Sequence, residues 1–159
     1  MFRRIIFFFS VLGLSSLSAA HNLEGCWEGQ GQLTLIHVGK RPCSRLLLKH
    51  EFPPSGFVMK ALAVECQDFS GSWSEKFFEV RNGKEIWGGV KEKAVIGWLE
   101  PDSYWFDEPV NALQYIEYKA ERDPQSGRLR WLESFAQNQK QYWKIEADLV
   151  PVACDELAR

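Results

Sequence analysis

Hydrophobic and polar residues alternate along most of the chain from residue 23 onward, with the two-residue period of β-strands. The clearest run is 140–150, in which every second residue is apolar. Its apolar members are Trp143, Ile145, Ala147 and Leu149. No segment carries the longer period of an extended amphipathic helix. The pattern therefore predicts an all-β protein.

Turn signals divide this pattern into strands. Pro53-Pro54-Ser55-Gly56 separates the runs 43–52 and 57–66, and Asn82-Gly83 is typical of a tight hairpin because both residues tolerate a positive φ. Further strands are predicted over 23–37, 75–81, 84–90, 94–100, 111–122, 128–137 and 140–150. Consecutive hairpins favour an antiparallel up-and-down β-barrel of eight to ten strands over a sandwich.

The opening strand carries an unusual glycine pattern, Gly25-x-Trp27-x-Gly29-x-Gly31. Glycine at every second residue weakens a strand, and is retained where the strand bends sharply or another backbone approaches closely. A closed barrel requires both sharply bent strands and a close approach of neighbouring backbones. Trp27 is expected to point into the barrel.

Pairing the strands through their turns predicts the inner face of the barrel. In the first hairpin, Leu46 faces Ala63, Leu48 faces Ala61 and His50 faces Met59. Pairing 128–137 with 140–150 through Asn138-Gln139 places further side chains inside. They are Arg128, Arg130, Leu132 and Ser134, and the preceding strand adds Ile116, Tyr118 and Ala120. Glu117 and Glu133 then lie on the solvent side as an ordinary charged face.

The first twenty residues have the layout of a secretory signal peptide. Arg3 and Arg4 precede an apolar run, and Ser18 and Ala20 occupy the positions that a signal peptidase reads. The uncharged stretch is shorter than the roughly 20 residues that span a bilayer. We therefore expect residues 1–20 to be removed, leaving 21–159 as one periplasmic or secreted domain without a transmembrane segment. An alternative is a lipoprotein with a lipid on Cys26, since 23–26 has the outline of a processing box.

Charge and cysteine content narrow the class of protein. Residues 21–159 contain 17 basic and 21 acidic residues, a formal charge of −4, which argues against a nucleic-acid partner and a polybasic membrane contact. Four cysteines in an exported chain predict two disulfides. Cys43 and Cys66 are equidistant from their hairpin turn, and closure of the barrel brings Cys154 near Cys26. No Cys-x-x-Cys occurs and the three histidines are scattered, so no metal site is expected.

An inward arginine is the main candidate for ligand chemistry. A guanidinium inside a barrel needs a partner, and Arg130 could hold the carboxylate or phosphate of an amphipathic ligand, assisted by Tyr118 and His50. The predicted ligand-binding residues are Trp27, His50, Met59, Tyr118, Arg130 and Trp143. The alternative is an interior filled by its own side chains.

The segment 101–109 is predicted to be a loop because prolines bound it. It combines three adjacent aromatic residues with three acids, which resembles an interface hot spot. Tyr104, Trp105 and Phe106 are therefore the predicted partner-binding residues. The alternative is a lid that folds over one end of the barrel.

Nothing in the sequence indicates catalysis. It contains no nucleophile elbow, no Ser-His-Asp set and no phosphate-binding loop, and its cysteines are expected to be oxidised. Two functions remain. The first is binding of a small apolar or amphipathic molecule. The second is a periplasmic interaction module, such as an inhibitor or an envelope assembly factor, with a solid barrel and the aromatic loop 103–108 as its contact.

Leu23 followed by Gly25-x-Trp27 resembles the opening of the lipocalin-like barrels, and the full glycine pattern is similar to the nitrobindin-like branch. The resemblance implies a barrel with a cavity for a small apolar molecule. Nitrobindin-like proteins bind haem through a histidine late in the chain, whereas no histidine follows His50 here. Fatty-acid-binding relatives use arginine and tyrosine two residues apart on the last strand, where this chain has Tyr142 and Lys144. No cofactor is therefore expected.

Overall fold

A computed structural model describes residues 21–155 as a closed ring of ten antiparallel strands. Each strand pairs with the next, and β10 pairs with β1 to close the ring. The strands are β1 Gly25–Leu35, β2 Gly39–Glu51, β3 Gly56–Cys66, β4 Phe69–Arg81, β5 Glu85–Gly88, β6 Ala94–Leu99, β7 Ser103–Asn111, β8 Gln114–Arg122, β9 Leu129–Gln137 and β10 Lys140–Val152. The predicted all-β, up-and-down architecture is confirmed.

Two glycines of the opening motif lie where β10 closes on β1. A Cβ atom added at Gly29 would collide with the carbonyl oxygen of Asp148, and one added at Gly31 with that of Glu146. Glycine is thus required at both positions for the two backbones to approach. Trp27 points inward and is 2% exposed, as predicted, and its indole N–H donates to the carbonyl of Leu23 at 2.9 Å.

Residues 21–24 cross one end of the ring, here called the plugged end. Leu23 is fully buried, and the Asn22 N–H donates to the carbonyl of Pro101 in the turn between β6 and β7, on the opposite wall. The ring of His21 stacks on Phe52, at 4.4 Å between centroids. These contacts cover the interior at this end with the chain's own residues.

Both predicted disulfides are present. Cys26 is bonded to Cys154, joining the start of β1 to the residues after β10, and Cys43 is bonded to Cys66 between β2 and β3. A sulfur in a disulfide cannot also carry a thioether lipid, so the alternative of a lipid on Cys26 is wrong. Two disulfides fit an oxidising environment.

The hairpin of β2 and β3 agrees with the predicted register over half its length. His50 pairs with Met59 and Leu48 with Ala61, as expected. Leu46 pairs with Val64 rather than Ala63, because the register shifts between Leu47 and Leu48.

The predicted inner face of β9 is wrong by one residue. Gln141 pairs with Ala136 but Trp143 pairs with Phe135, so β10 holds one extra residue. A shift of one residue exchanges the two faces of a strand. Arg130 therefore lies exposed on the outer face, whereas Glu133 is buried inside. Arg128 precedes β9, whose buried inward residues also include Leu129 and Trp131.

The predicted aromatic loop is also wrong, because this segment forms β7. Tyr104 and Phe106 point inward with 2% and 0% exposure, and only Trp105 is exposed, at 43%. Pro109 is tolerated because β6 pairs with β7 only as far as Phe106, so no partner on that side needs the missing N–H.

The predicted signal peptide, residues 1–20, lies outside the described residues. Between residues 21 and 155, no helix has the length and apolar character needed to cross a bilayer.

Candidate functional site

The half of the interior near the plugged end is filled by aromatic side chains. The ring of Phe57 lies 5.0 Å from that of Tyr104, and Phe78 lies 4.5 Å from Phe106, measured between centroids. All four side chains are at most 5% exposed. The barrel is solid here, as small barrels commonly are.

Three polar or polarisable groups are buried in this aromatic half. The Tyr104 hydroxyl lies 3.3 Å from His50 Nε2 and 3.4 Å from Met59 Sδ. Burial lowers the pKa of His50 to about 4, so the imidazole is neutral at neutral pH, and burial raises the pKa of Tyr104. Three predicted ligand-binding residues, Trp27, His50 and Met59, thus belong to a packed core.

The opposite end of the barrel, where β1 finishes, is called the mouth. Its inner face carries four half-buried apolar side chains, Leu35, Trp73, Ile116 and Trp143. Lys76 and Glu108 also lie on inner positions of their strands, yet their side chains keep 26% and 31% exposure. Glu108 borders a surface recess lined by Trp87, Gly88 and Ile96.

A polar group, here called the floor, lies on the inner faces of β4, β7, β8 and β9. Its members are Lys76, Glu108, Tyr118 and Glu133. The Lys76 ammonium donates to Glu108 Oε2 and to the Tyr118 hydroxyl, both at 2.7 Å. The Tyr118 hydroxyl in turn donates to Glu108 at 3.3 Å.

A bulge in β4 brings Lys76 into the interior. Trp73 pairs with Ala61 and Lys76 pairs with Met59, so three residues of β4 oppose two of β3. Both side chains therefore face inward, although their spacing in the sequence would place them on opposite faces.

Glu133 is the most deeply buried acid of the floor, at 5% exposure. Burial raises its pKa to about 8, the positive charge of Lys76 opposes this increase, and the negative charge of Glu108 adds to it. The carboxyl is therefore mostly protonated at neutral pH. Burial and the charges of Glu133 and Glu108 also raise the pKa of Tyr118.

Several buried polar atoms have no hydrogen-bond partner within the described part of the chain. Two lie on the mouth side, namely Glu133 Oε2 and Trp73 Nε1, whereas Trp131 Nε1 is directed toward the Tyr104 hydroxyl of the aromatic half, and two are the Nδ1 atoms of His21 and His50 near the plugged end. The two indole rings are stacked at 6.4 Å between centroids, and Trp131 and Glu133 are successive inward residues of β9. Buried polar groups without partners are uncommon in folded proteins.

The structure thus brings together only part of the predicted ligand set. Tyr118 and Trp143 belong to the mouth, whereas Arg130 lies on the outer surface. The residues missed from the sequence are Trp73, Lys76, Glu108 and Glu133. Glu108 continues the alternation of Tyr104 and Phe106, a signal that reading the segment as a strand would have used.

The outer face carries a second feature. Trp98 and Trp105 stand opposite each other on β6 and β7 and are 45% and 43% exposed, beside a groove of about 1040 Å³. Asp107 and Glu117 form the neighbouring cross-strand pair. Burial and the charge of Glu117 raise the pKa of Asp107.

Among residues 21–155, no three histidine, cysteine, aspartate or glutamate side chains come together in a group that could hold a metal ion. Comparison of the chain with models of protein families, with curated proteins and with solved structures finds no significant match.

Proposed function

We propose that this protein is an exported, non-catalytic barrel that binds a small apolar or amphipathic molecule at its mouth. The observation that carries the proposal is the floor, in which the almost completely buried Glu133 has an oxygen without a partner among residues 21–155. Burying a polar group without a hydrogen bond costs free energy, and strongly perturbed carboxyls concentrate at functional sites.

The surroundings of the floor suit such a ligand. Small-molecule sites are concave and mostly apolar, with a few polar groups that fix the orientation of the ligand. At the mouth, Trp73, Trp143 and Ile116 supply the apolar wall and remain half-buried, so a ligand could reach them from solvent.

We further propose that the barrel is lipocalin-like. The Gly25-x-Trp27 opening, the hydrogen bond from Trp27 to Leu23 and the up-and-down ring support this kinship. Export is supported by the leader-like residues 1–20 and by the two disulfides. N-terminal sequencing of protein from its own host tests it, with His21 expected as the first residue.

The first test of ligand binding is native mass spectrometry of protein purified from its own host, followed by extraction of anything bound. A stoichiometric small molecule would establish binding. If only the bare two-disulfide chain is found, the second test decides.

The second test measures uptake of the neutral fluorescent probe N-phenyl-1-naphthylamine. Trp143→Ala at the mouth should weaken probe binding by about tenfold, because it removes a large part of the apolar wall. Trp87→Ala is the matched control, because Trp87 is also half-buried but stacks against Arg81 at 4.0 Å on the outer face. No probe uptake by the wild-type protein, or equal loss in both variants, would contradict the proposal.

A second candidate function is binding of a partner protein at the outer face. The exposed pair Trp98 and Trp105 favours it, because exposed aromatic residues beside a groove are typical interface anchors. The neighbouring acids Asp107 and Glu117 favour a partner segment that carries lysine or arginine.

This candidate is tested by cross-linking in the host envelope, with Trp105→Ala and Trp87→Ala compared. Loss of one specific cross-linked protein in the first variant alone would support it. Identical cross-linking patterns in both variants would exclude this face as the contact.

A further inference from the structure

The free hydrogen-bonding groups on the mouth side are mostly donors. An indole N–H can only donate, and Trp73 directs one into the buried interior without a partner among residues 21–155. Glu133 also has an unpartnered oxygen on this side of the interior. A carboxyl that is protonated at this position also offers an O–H donor.

The floor holds no spare positive charge. Lys76, its only cation, already donates to Glu108 at 2.7 Å, and Glu133 adds a second acid. At the rim of the mouth, Arg41 is paired with Asp68 at 3.5 Å. The remaining titratable group that faces Glu133 is Tyr118 on β8.

The strands that follow β9 around the ring, β10 and β1, present apolar groups at this level. Ile145 of β10 pairs with Glu133, and Leu33 of β1 pairs with Ile145. Both are at most 5% exposed. Lys76, the cation of the floor, is already paired with Glu108, so an anionic ligand group buried there would have no free cation of the floor to stabilise it.

We infer that the mouth selects an uncharged, mostly apolar molecule whose carbonyl oxygen accepts hydrogen bonds from Glu133 and Trp73. This inference rests on the proposed function and defines its ligand class. A carbonyl oxygen accepts two hydrogen bonds and brings no donor of its own, which matches the two donors of this site. It replaces the expectation that an inward Arg130 holds a carboxylate or phosphate.

The test uses the oxidised full barrel with N-phenyl-1-naphthylamine bound, at pH 7. Three competitors of equal chain length displace the probe: dodecan-2-one, dodecanoic acid and dodecane. We expect the ketone to act at a concentration at least tenfold below that of the other two.

Side-chain variants then locate the effect. Trp73→Phe removes one N–H and keeps most of the ring, and Glu133→Leu removes the carboxyl, so each should reduce the preference for the ketone about fivefold or more. Glu133→Gln keeps a donor and should preserve most of the preference, which a merely structural role would not explain. Trp87→Phe on the outer face is the control and should change nothing.

Each outcome has a distinct meaning. If the wild-type protein takes up no probe, the proposed function itself fails. If the probe binds but the three competitors act equally, or the carboxylate is strongest, the ligand class is wrong and the binding site stands. If the ketone is preferred equally in Trp73→Phe, Glu133→Leu and the wild type, the hydrogen-bonding residues are wrong.

Discussion

The two ends of the barrel interior are built from different chemistry on the same strands. Near the plugged end, β7 contributes Tyr104 and Phe106 to an aromatic core that excludes water, and the buried His50 is neutral. Two residues further along the same face, Glu108 joins the floor and keeps contact with solvent. The aromatic residues near the plugged end stabilise the fold by packing. At the mouth, polar residues occupy interior positions where apolar residues would pack better.

This difference indicates that the plugged end stabilises the fold and that the mouth is the candidate functional site. An aromatic core contributes through buried area and ring contacts. A floor with an unpartnered buried carboxyl weakens the folded state, and proteins often retain such groups at sites of function. Each of the following substitutions changes one end of the barrel, and the two ends should differ in how much the free energy of unfolding changes.

The largest expected effect comes from the disulfides. Removing Cys26–Cys154 by a double serine substitution frees a loop of 128 residues, while removing Cys43–Cys66 frees one of 23 residues. In the chain-entropy description the losses of unfolding free energy are about 5 and about 3.5 kcal/mol. Guanidinium denaturation of both variants checks the order. A larger loss from the Cys43–Cys66 variant would contradict this ranking.

Truncating one phenylalanine at each end compares the packing. Phe57→Ala empties a fully buried position among five other rings and should lower the unfolding free energy by about 4 kcal/mol. Phe135→Ala at the half-buried mouth should cost about 1 to 2 kcal/mol. Urea denaturation measures both. Equal losses would show that the mouth is packed as tightly as the plugged end.

Glu133 should make the barrel less stable as pH rises. Its pKa is about 8 in the folded state against an ordinary 4.5, so the folded state holds a proton that the unfolded chain releases. The contribution of Glu133 to the free energy of unfolding is greatest below pH 4.5. It falls by about 4 kcal/mol as the pH rises to 8. Glu133→Gln should remove this fall, as seen by denaturation at pH 5, 6.5 and 8. Glu121→Gln, an exposed acid, is the control, and the same fall in both variants would refute the assignment.

His50 should have the opposite dependence. Its folded pKa of about 4 lies below the ordinary 6.5, so the unfolded chain binds a proton first as pH falls. The free energy of unfolding should therefore fall by about 3 kcal/mol as the pH decreases from 6.5 to 4. In a Glu133→Gln background, His50→Asn should flatten the curve between pH 6.5 and 4. His37→Asn, at an exposed turn, should leave the curve unchanged, and a flat curve in that control would contradict the assignment.

The sequence alone determined the all-β class, the up-and-down order of the strands other than β7, and both disulfides. Alternation, turn dipeptides and cysteine positions are local signals, and the closure of an antiparallel ring follows from them. The opening motif could also be read correctly, because only glycine permits the contact that Gly29 and Gly31 make with β10. Tyr118 and Trp143 were also placed inside correctly, because β8 alternates without interruption and β10 alternates regularly from Trp143 onward.

Only the tertiary structure decided which polar groups lie in the interior. The extra residue in β10 exchanged Arg130 for Glu133, and the bulge in β4 turned both Trp73 and Lys76 inward. A bulge leaves no clear mark in a single sequence, because it is fixed by how neighbouring strands twist and pack. The inner face of a strand has a period of two residues, so one extra residue reverses the assignment of every residue beyond it.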